Sequence, residues 1–191
     1  MQGSVATDAP VKTGLSTTEL ERRGTRFAFG APVTGAVPVG ETVVVSFGDG
    51  MLRVFRADQM PQELRLHDGV VLALAADGDG HVVTGGDDGQ FLRTSLEGDI
   101  EQLEDFGTRW VDCVAASHGH RACSSGKQAH VWTAGQDKVT VFEHASTIGG
   151  LAFDVKGKRV AGAYYGGATV WAREKRWKSS KLVWKGFHGD T

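Results

Sequence analysis

The stretch DDGQFLRT at residues 87–94 decides the fold, because related stretches return three more times along the chain. The related segments are GDGMLRVF (48–55), SGKQAHVW (125–132) and YGGATVW (165–171). One shared position near the end of each segment is occupied by Phe55, Thr94, Trp132 and Trp171. Successive shared positions are 39, 38 and 39 residues apart. A fixed spacing of nearly this length is typical of chains built by repeating one structural unit.

Three further short strands accompany each of these segments. First strands are predicted at 33–39, 71–77, 110–117 and 148–154. Second strands are predicted at 41–46, 81–85, 121–125 and 158–163, and outer strands at 62–66, 99–104, 138–142 and 181–185. Short alternating runs that end in Gly-rich turns favour β-strands joined by hairpins. The sequence therefore predicts an all-β chain of four units with four strands each.

The constant period distinguishes a propeller from the other all-β architectures. A sandwich or a meander barrel also contains many short strands, but its strands occupy different places in the core and need no recurring residue. Stacked repeats all meet the same packing problem, so residues recur at fixed places. We expect Phe55, Trp132 and Trp171 to fill the wedge between neighbouring sheets rather than to bind a ligand.

Composition limits the classes of function. The chain has 27 glycines, which suits tight turns, and a formal net charge of -2, which gives no general attraction to nucleic acid. Two cysteines cannot form the disulfide framework of a small secreted domain, so we expect reduced thiols and a cytoplasmic protein. Residues 1–24 form a polar lead without a secretory or membrane-spanning run. Ser16 and Glu19 could cap a short helix that ends near Arg23.

Residues 26–191 resemble the WD40 repeat family in a degenerate form. In the stretch LHDGVVLALAADGDGHVVTGGDDG (66–89), the family's His, hydroxyl and Asp positions are occupied by His67, Thr84 and Asp88. The fourth unit keeps His144 and Trp171 but carries Tyr165 in the place of the Asp. The family's closing Trp-Asp pair is replaced by Phe55-Arg56, Trp132-Thr133 and Trp171-Ala172.

This resemblance implies a partial β-propeller over residues 25–191. The blades are expected at about 30–66, 67–105, 106–143 and 144–187, with a fifth beginning at 188–191. Because rings of this family usually have about seven blades, we expect a chain that is incomplete at its C-terminus. Residues 25–29 (TRFAF) would suit the strand that closes such a ring. The alternative is a compact ring of four blades.

The resemblance also implies a non-catalytic scaffold for protein partners, with no cofactor and no metal. In this family the turns at one end of the blades commonly receive the partner. The corresponding partner-binding candidates are Arg53, Asp87, Arg109, Tyr164 and Tyr165. The repeat positions His67, Thr84, Asp88 and His144 are expected to be structural. Exposed sheet edges lead us to expect self-association of the isolated chain.

Two other functions remain open. Asp49, Asp87 and Asp88 could gather near the axis of a propeller enzyme or small-ligand binder, although Asp-Gly is also a strong signal for a tight turn. Six basic residues cluster around Trp177 and Trp184 between 173 and 185. Such a patch can bind nucleic acid through phosphate contacts and base stacking, but charged loops are more often solvated faces.

One group of residues has the composition of a zinc site. Cys113, His118, His120 and Cys123 supply two thiols and two imidazoles. On the strand assignment, however, Cys113 lies in a strand and the histidines in the following turn, about 15 Å away at ~3.3 Å per residue. Zinc needs ligands within about 2.3 Å, so we expect no metal.

Overall fold

The structure, a computed structural model, describes residues 18–175 and 182–188. The chain divides into two compact units, Met1–Ala31 and Pro32–Thr191. All the strands within these described residues belong to the second unit.

The described part of the first unit, residues 18–31, contains one short helix, α1 (Glu19–Arg23), which ends where the sequence predicts. Its cap differs from the prediction. The N–H of Glu21 donates to Thr18 Oγ1 (3.2 Å), and the N–H of Thr18 donates to a Glu21 carboxylate oxygen (2.7 Å). This reciprocal pair is a capping box. Ser16, the predicted cap, lies outside the described residues, and residues 25–29 form no strand.

The described part of the second unit forms four antiparallel sheets of four strands each. Sheet 1 contains β1 (Val33–Val39), β2 (Thr42–Phe47), β3 (Met51–Phe55) and β4 (Gln62–Arg65). Sheet 2 contains β5 (Val71–Ala76), β6 (His81–Gly86), β7 (Gln90–Ser95) and β8 (Ile100–Asp105). Sheet 3 contains β9 (Cys113–Ser117), β10 (His120–Ser125), β11 (Gln128–Trp132) and β12 (Thr140–Glu143). Sheet 4 contains β13 (Ile148–Phe153), β14 (Arg159–Tyr164), β15 (Gly167–Lys175) and β16 (Leu182–His188).

Strand register shows that the recurring sequence position is one structural position. In every sheet this residue pairs with the second residue of the sheet's second strand. The pairs are Phe55 with Val43, Thr94 with Val82, Trp132 with Arg121, and Trp171 with Val160. The repeat read from the sequence is therefore the repeat of the structure.

The core lies between successive sheets. Alternate side chains of a strand point to opposite faces. Thus Val82 packs with Leu52 and Val54 of sheet 1, whereas its neighbour Val83 packs with Val114 and Cys123 of sheet 3. Burial on both faces explains why the second strands carry so few charged residues.

Contacts between sheets connect β1 to β5, β5 to β9 and β9 to β13, so the sheets follow one another in chain order. The described strands form an all-β, propeller-like series of sheets but no closed ring. Strand β9 begins at Cys113, later than the predicted start at Trp110. Within the described residues, no helix has the length and apolar character needed to cross a membrane.

Candidate protein-interaction surface

Turns and connections from all four sheets meet at one end of the second unit. We call this end the loop surface and define it as residues 48–50, 67–70, 86–89, 107–112, 126–127, 144–147 and 164–166. Backbone hydrogen bonds tie the connections to the turns. The N–H of Asp87 donates to the Val70 carbonyl (3.2 Å), that of Val111 to Gly86 (3.0 Å), and that of Ile148 to Gly126 (3.0 Å). The repeated pattern gives the loops a fixed framework.

A buried polar network supports the loop surface in sheet 2. The His67 ring, 1% exposed, lies 2.9 Å from Asp88 through Nδ1 and 2.9 Å from Thr84 Oγ1 through Nε2. Burial opposes ionisation of Asp88, but hydrogen bonds from His67 and from the Gln90 and Asp68 amides outweigh it and lower the pKa of the carboxyl. An ionised carboxylate only accepts hydrogen bonds, so Nδ1 donates to Asp88, and in the neutral ring Nε2 then accepts from the Thr84 hydroxyl.

Asp87, a predicted partner-binding residue, holds a connecting loop. Its carboxylate accepts a hydrogen bond from the Val70 N–H (2.8 Å). A Cβ at Gly69 would collide with the same carboxylate, so this close approach requires glycine. Asp87 is half-buried, and a direct contact with a partner remains a prediction.

Arg53 lies inside sheet 1 and presents little surface to a partner. The residue is 4% exposed, and its guanidinium contacts Asp49 (3.0 Å), Glu63 (3.2 Å) and the Phe47 ring (4.3 Å). The positive charge of Arg53, which was predicted to contact a partner, therefore already interacts with two carboxylates and an aromatic ring of its own sheet.

The adjacent tyrosines of sheet 4 point in different directions. Tyr164 is half-buried, lies against the His144 ring (5.2 Å between centroids), and its hydroxyl accepts a hydrogen bond from Thr169 (3.3 Å). Tyr165 is 95% exposed. Of the two predicted residues, only Tyr165 presents its ring to the surroundings at the loop surface.

Trp110 is a functional candidate that the sequence analysis missed. It is 59% exposed in the connection to sheet 3, next to Arg109, which is exposed and lies over the Phe106 ring (5.5 Å). Alignment of the repeats placed Trp110 at the start of a strand. Val71, Val111 and Ile148 are all 0–1% exposed at the entry to their sheets. Matching Val111 with Val71 and Ile148 would have placed Trp110 in the loop.

Each predicted axial carboxylate is held by hydrogen bonds from its own turn or from the loop that enters its sheet. Asp49 accepts hydrogen bonds from the Met51 N–H and from Arg53, whereas Asp87 and Asp88 accept those described above. Burial raises the pKa of Asp112 in the connection to sheet 3. Among the described residues, these geometries give the three predicted carboxylates structural partners rather than a shared site.

The other predicted groups lie elsewhere. Cys113 and Cys123 are free thiols on the paired strands β9 and β10, and burial raises the pKa of both. Residues 18–175 and 182–188 contain no cluster of three or more His, Cys, Asp or Glu side chains suited to a metal ion.

Arg173 contacts His120 (2.6 Å), whereas residues 176–181 of the basic patch lie outside the described residues. A cytoplasmic location stays a prediction.

Comparison with known proteins identifies the fold and no family. No family model matches the chain, and a search of curated proteins finds no match. A chain of the crystallised mitotic checkpoint complex is 16% identical with a TM-score of 0.64, covering 80% of this chain and 52% of that chain. The computationally designed Ika4 protein is 20% identical with a TM-score of 0.66, covering 76% and 93%.

These identities support a likeness of fold alone. The chain spans about half the length of the checkpoint-complex chain. Together with the four antiparallel sheets and their common register, the comparisons support a propeller-like, all-β architecture.

Proposed function

We propose that this protein is a non-catalytic scaffold that binds a protein partner at the loop surface, with Trp110 and Tyr165 as its anchors. The observation that carries the proposal is the exposure of these two large aromatic side chains, 59% and 95%, on loops held by a rigid framework. Aromatic residues with a polar edge are enriched among the residues that dominate binding energy at protein interfaces. Rigid presentation also reduces the entropy lost on binding.

Charged side chains beside Trp110 can add hydrogen bonds to a partner. Arg109 is exposed beside Trp110, and Asp112 is half-buried two residues further along. An arginine and a tyrosine hydroxyl can both form hydrogen bonds at the rim of an apolar contact. The structural similarity to a chain of the mitotic checkpoint complex supports a role in protein binding at a coarse level.

Site-specific photocrosslinking tests the proposal. A photoreactive phenylalanine analogue at position 165 should crosslink a protein partner in extracts of the source cells, and the purified partner then allows affinity measurements. Trp110→Ala and Tyr165→Ala should each weaken binding by about tenfold or more, as expected for anchor residues.

The opposite end of the sheets supplies matched controls. Met60 and Val155 are 78% and 88% exposed in turns at that end. Met60→Ala and Val155→Ala should change the affinity by less than about twofold, since they remove exposed apolar surface far along the strands from the loop surface. Equal losses for both sets of variants would contradict the proposal.

A further inference from the structure

A groove of about 470 Å³ separates the outer parts of sheets 1 and 2. Its sheet 1 side is Leu66, which follows β4. Its sheet 2 side comes from β7 and β8, and two aspartates stand at the end nearest the loop surface. The full lining is Leu66, Asp68, Asp88, Gln90, Leu92, Ile100 and Gln102.

The groove coincides with a departure from the sequence repeat. Trp132 packs on Phe91 of the preceding sheet (5.1 Å), and Trp171 packs on Phe142 of its preceding sheet (4.4 Å). Sheet 2 has Thr94 at this position, on the face of β7 that also carries Leu92 and directly opposite Ile100. A threonine fills far less of the wedge than a tryptophan.

The space between sheets 1 and 2 also contains a buried hydroxyl, that of Thr94, without a hydrogen-bond partner in the described residues. The residue is 1% exposed. Beyond it, at the far end of the sheets, Arg56 donates to the Leu96 carbonyl (3.3 Å) and links sheets 1 and 2. The groove itself lies beside Leu92 and Ile100 on this face of sheet 2.

The chemistry of the lining selects one kind of occupant. Leu66, Leu92 and Ile100 offer apolar walls, and Ile100 is 50% exposed. The described lining has two carboxylates and no basic side chain. Asp88 is already engaged by His67 and two backbone amides. The exposed Asp68 carboxylate has no hydrogen-bond partner among the described residues, so it can accept one from a ligand.

We propose that this groove binds a lysine or arginine side chain of a protein partner. The aliphatic stem lies against Leu66, Leu92 and Ile100, and the charged head reaches Asp68. Long cationic side chains commonly bury their stems along apolar surface in this way. An anionic side chain would be repelled by Asp68 and Asp88. The inference rests on the proposed role in protein binding but uses neither Trp110 nor Tyr165.

The test titrates the ¹⁵N-labelled full chain with short acetylated and amidated peptides that differ only in a central lysine, norleucine or glutamate. The lysine peptide should shift the amide resonances of Gln90, Leu92 and Gln102. The Kd should be about 1 mM, an affinity suited to one anchored side chain. Norleucine keeps the stem without the ammonium group and should bind about fivefold more weakly. The glutamate peptide should leave these resonances unchanged.

Three variants complete the test. Asp68→Asn should weaken the lysine peptide about fivefold, and Gln102→Trp should abolish the shifts by covering the groove. Glu97→Gln neutralises an exposed acid outside the lining and should leave the affinity unchanged. Equal binding of the lysine and norleucine peptides, or an unaffected Asp68→Asn variant, would overturn the proposal.

Failure of the groove and failure of the loop surface can be separated. Trp110→Ala and Tyr165→Ala should bind the lysine peptide as the unmodified chain does. If these variants lose the partner while the lysine peptide never binds the groove, only the groove assignment is wrong. If the peptide binds the groove while the same variants keep full partner affinity, the anchors of the loop surface are wrong.

Discussion

Sheets 2 and 4 both bury a histidine at the entry of the repeat, but they surround it with different chemistry. His67 in sheet 2 is 1% exposed and is bound by Asp88 and Thr84. His144 in sheet 4 is 7% exposed and lies edge-on to the Trp171 ring (4.5 Å) and the Tyr164 ring (5.2 Å). Asp88 and Thr84 therefore surround the histidine of sheet 2, whereas two aromatic rings contact the histidine of sheet 4.

The exchange follows from a few residues at equivalent positions. Gly162 stands in the place of Thr84, and Trp171 in the place of Thr94. Without a side chain at Gly162, the His144 ring can approach the strand, since a Cβ there would lie 2.6 Å from His144 Cε1. The comparison teaches that the buried histidine at this position can be surrounded by either polar or aromatic neighbours.

The largest difference in the free energy of unfolding is expected between variants at the equivalent positions Trp171 and Thr94. Trp171→Ala should lower the free energy of unfolding by about 3–5 kcal/mol, because it deletes a buried indole stacked on Phe142. Thr94→Ala should cost less than about 1 kcal/mol, because the lost hydroxyl has no described hydrogen-bond partner. Urea unfolding followed by circular dichroism measures both. Similar losses would mean that the two wedges do not differ as described.

Removal of His67 tests the polar side of the comparison. His67→Leu should lower the free energy of unfolding by about 2–4 kcal/mol, since it leaves Asp88 and Thr84 without their buried partner. Adding Thr84→Val should recover part of the loss, because a buried hydroxyl then no longer lacks a partner. The same urea measurement on the single and double variants gives the result. A simple sum of two losses would contradict a shared network.

The repeat was predictable from sequence because all four sheets solve one packing problem. The anchors Phe55, Thr94, Trp132 and Trp171 recur at nearly equal spacing and pair identically with the second strands. The loop surface was less predictable, since the connections differ in length and conformation. Trp110 was therefore assigned to a strand, although the structure places it in a connection. The buried environment of Arg53 depends on Asp49, Glu63 and Phe47 together, which no periodic pattern contains.

Restoring a threonine in sheet 4 tests whether the aromatic arrangement excludes the polar one. Gly162→Thr should lower the free energy of unfolding by about 1–3 kcal/mol, since the added atoms meet the His144 ring and the Trp171 ring. Gly149→Ala is the matched control in the same sheet, because no atom lies within 4 Å of its added Cβ. It should change the free energy by less than about 0.5 kcal/mol. A stabilised Gly162→Thr variant would show that the polar network can be rebuilt there.

The smallest effect on the free energy of unfolding is expected at the end of sheets 2, 3 and 4 that lies opposite the loop surface. There a carboxylate joins sheets 2 and 3, and an imidazole joins sheets 3 and 4. Asp77 Oδ2 accepts hydrogen bonds from Arg93 and Arg121 (2.7 Å each), which joins sheets 2 and 3. Between sheets 3 and 4, the His120 ring lies between two donors, with Arg173 Nη1 2.6 Å from Nε2 and the Ala134 nitrogen 2.9 Å from Nδ1. A neutral imidazole accepts a hydrogen bond at only one of its nitrogens and a protonated ring accepts at neither, so an added proton removes the remaining acceptor.

Protonation of His120 should therefore weaken the junction of sheets 3 and 4. Burial and the positive charge of Arg173 lower the pKa of His120, and burial also lowers that of His130. The unfolded chain then takes up these protons first, so the free energy of unfolding should fall as the pH drops below about 6.5. His120→Asn should reduce this slope, as measured by urea unfolding between neutral and mildly acidic pH. A slope unchanged by His120→Asn would assign the acid sensitivity to other groups, because only a side chain whose pKa differs between the folded and unfolded states contributes to it.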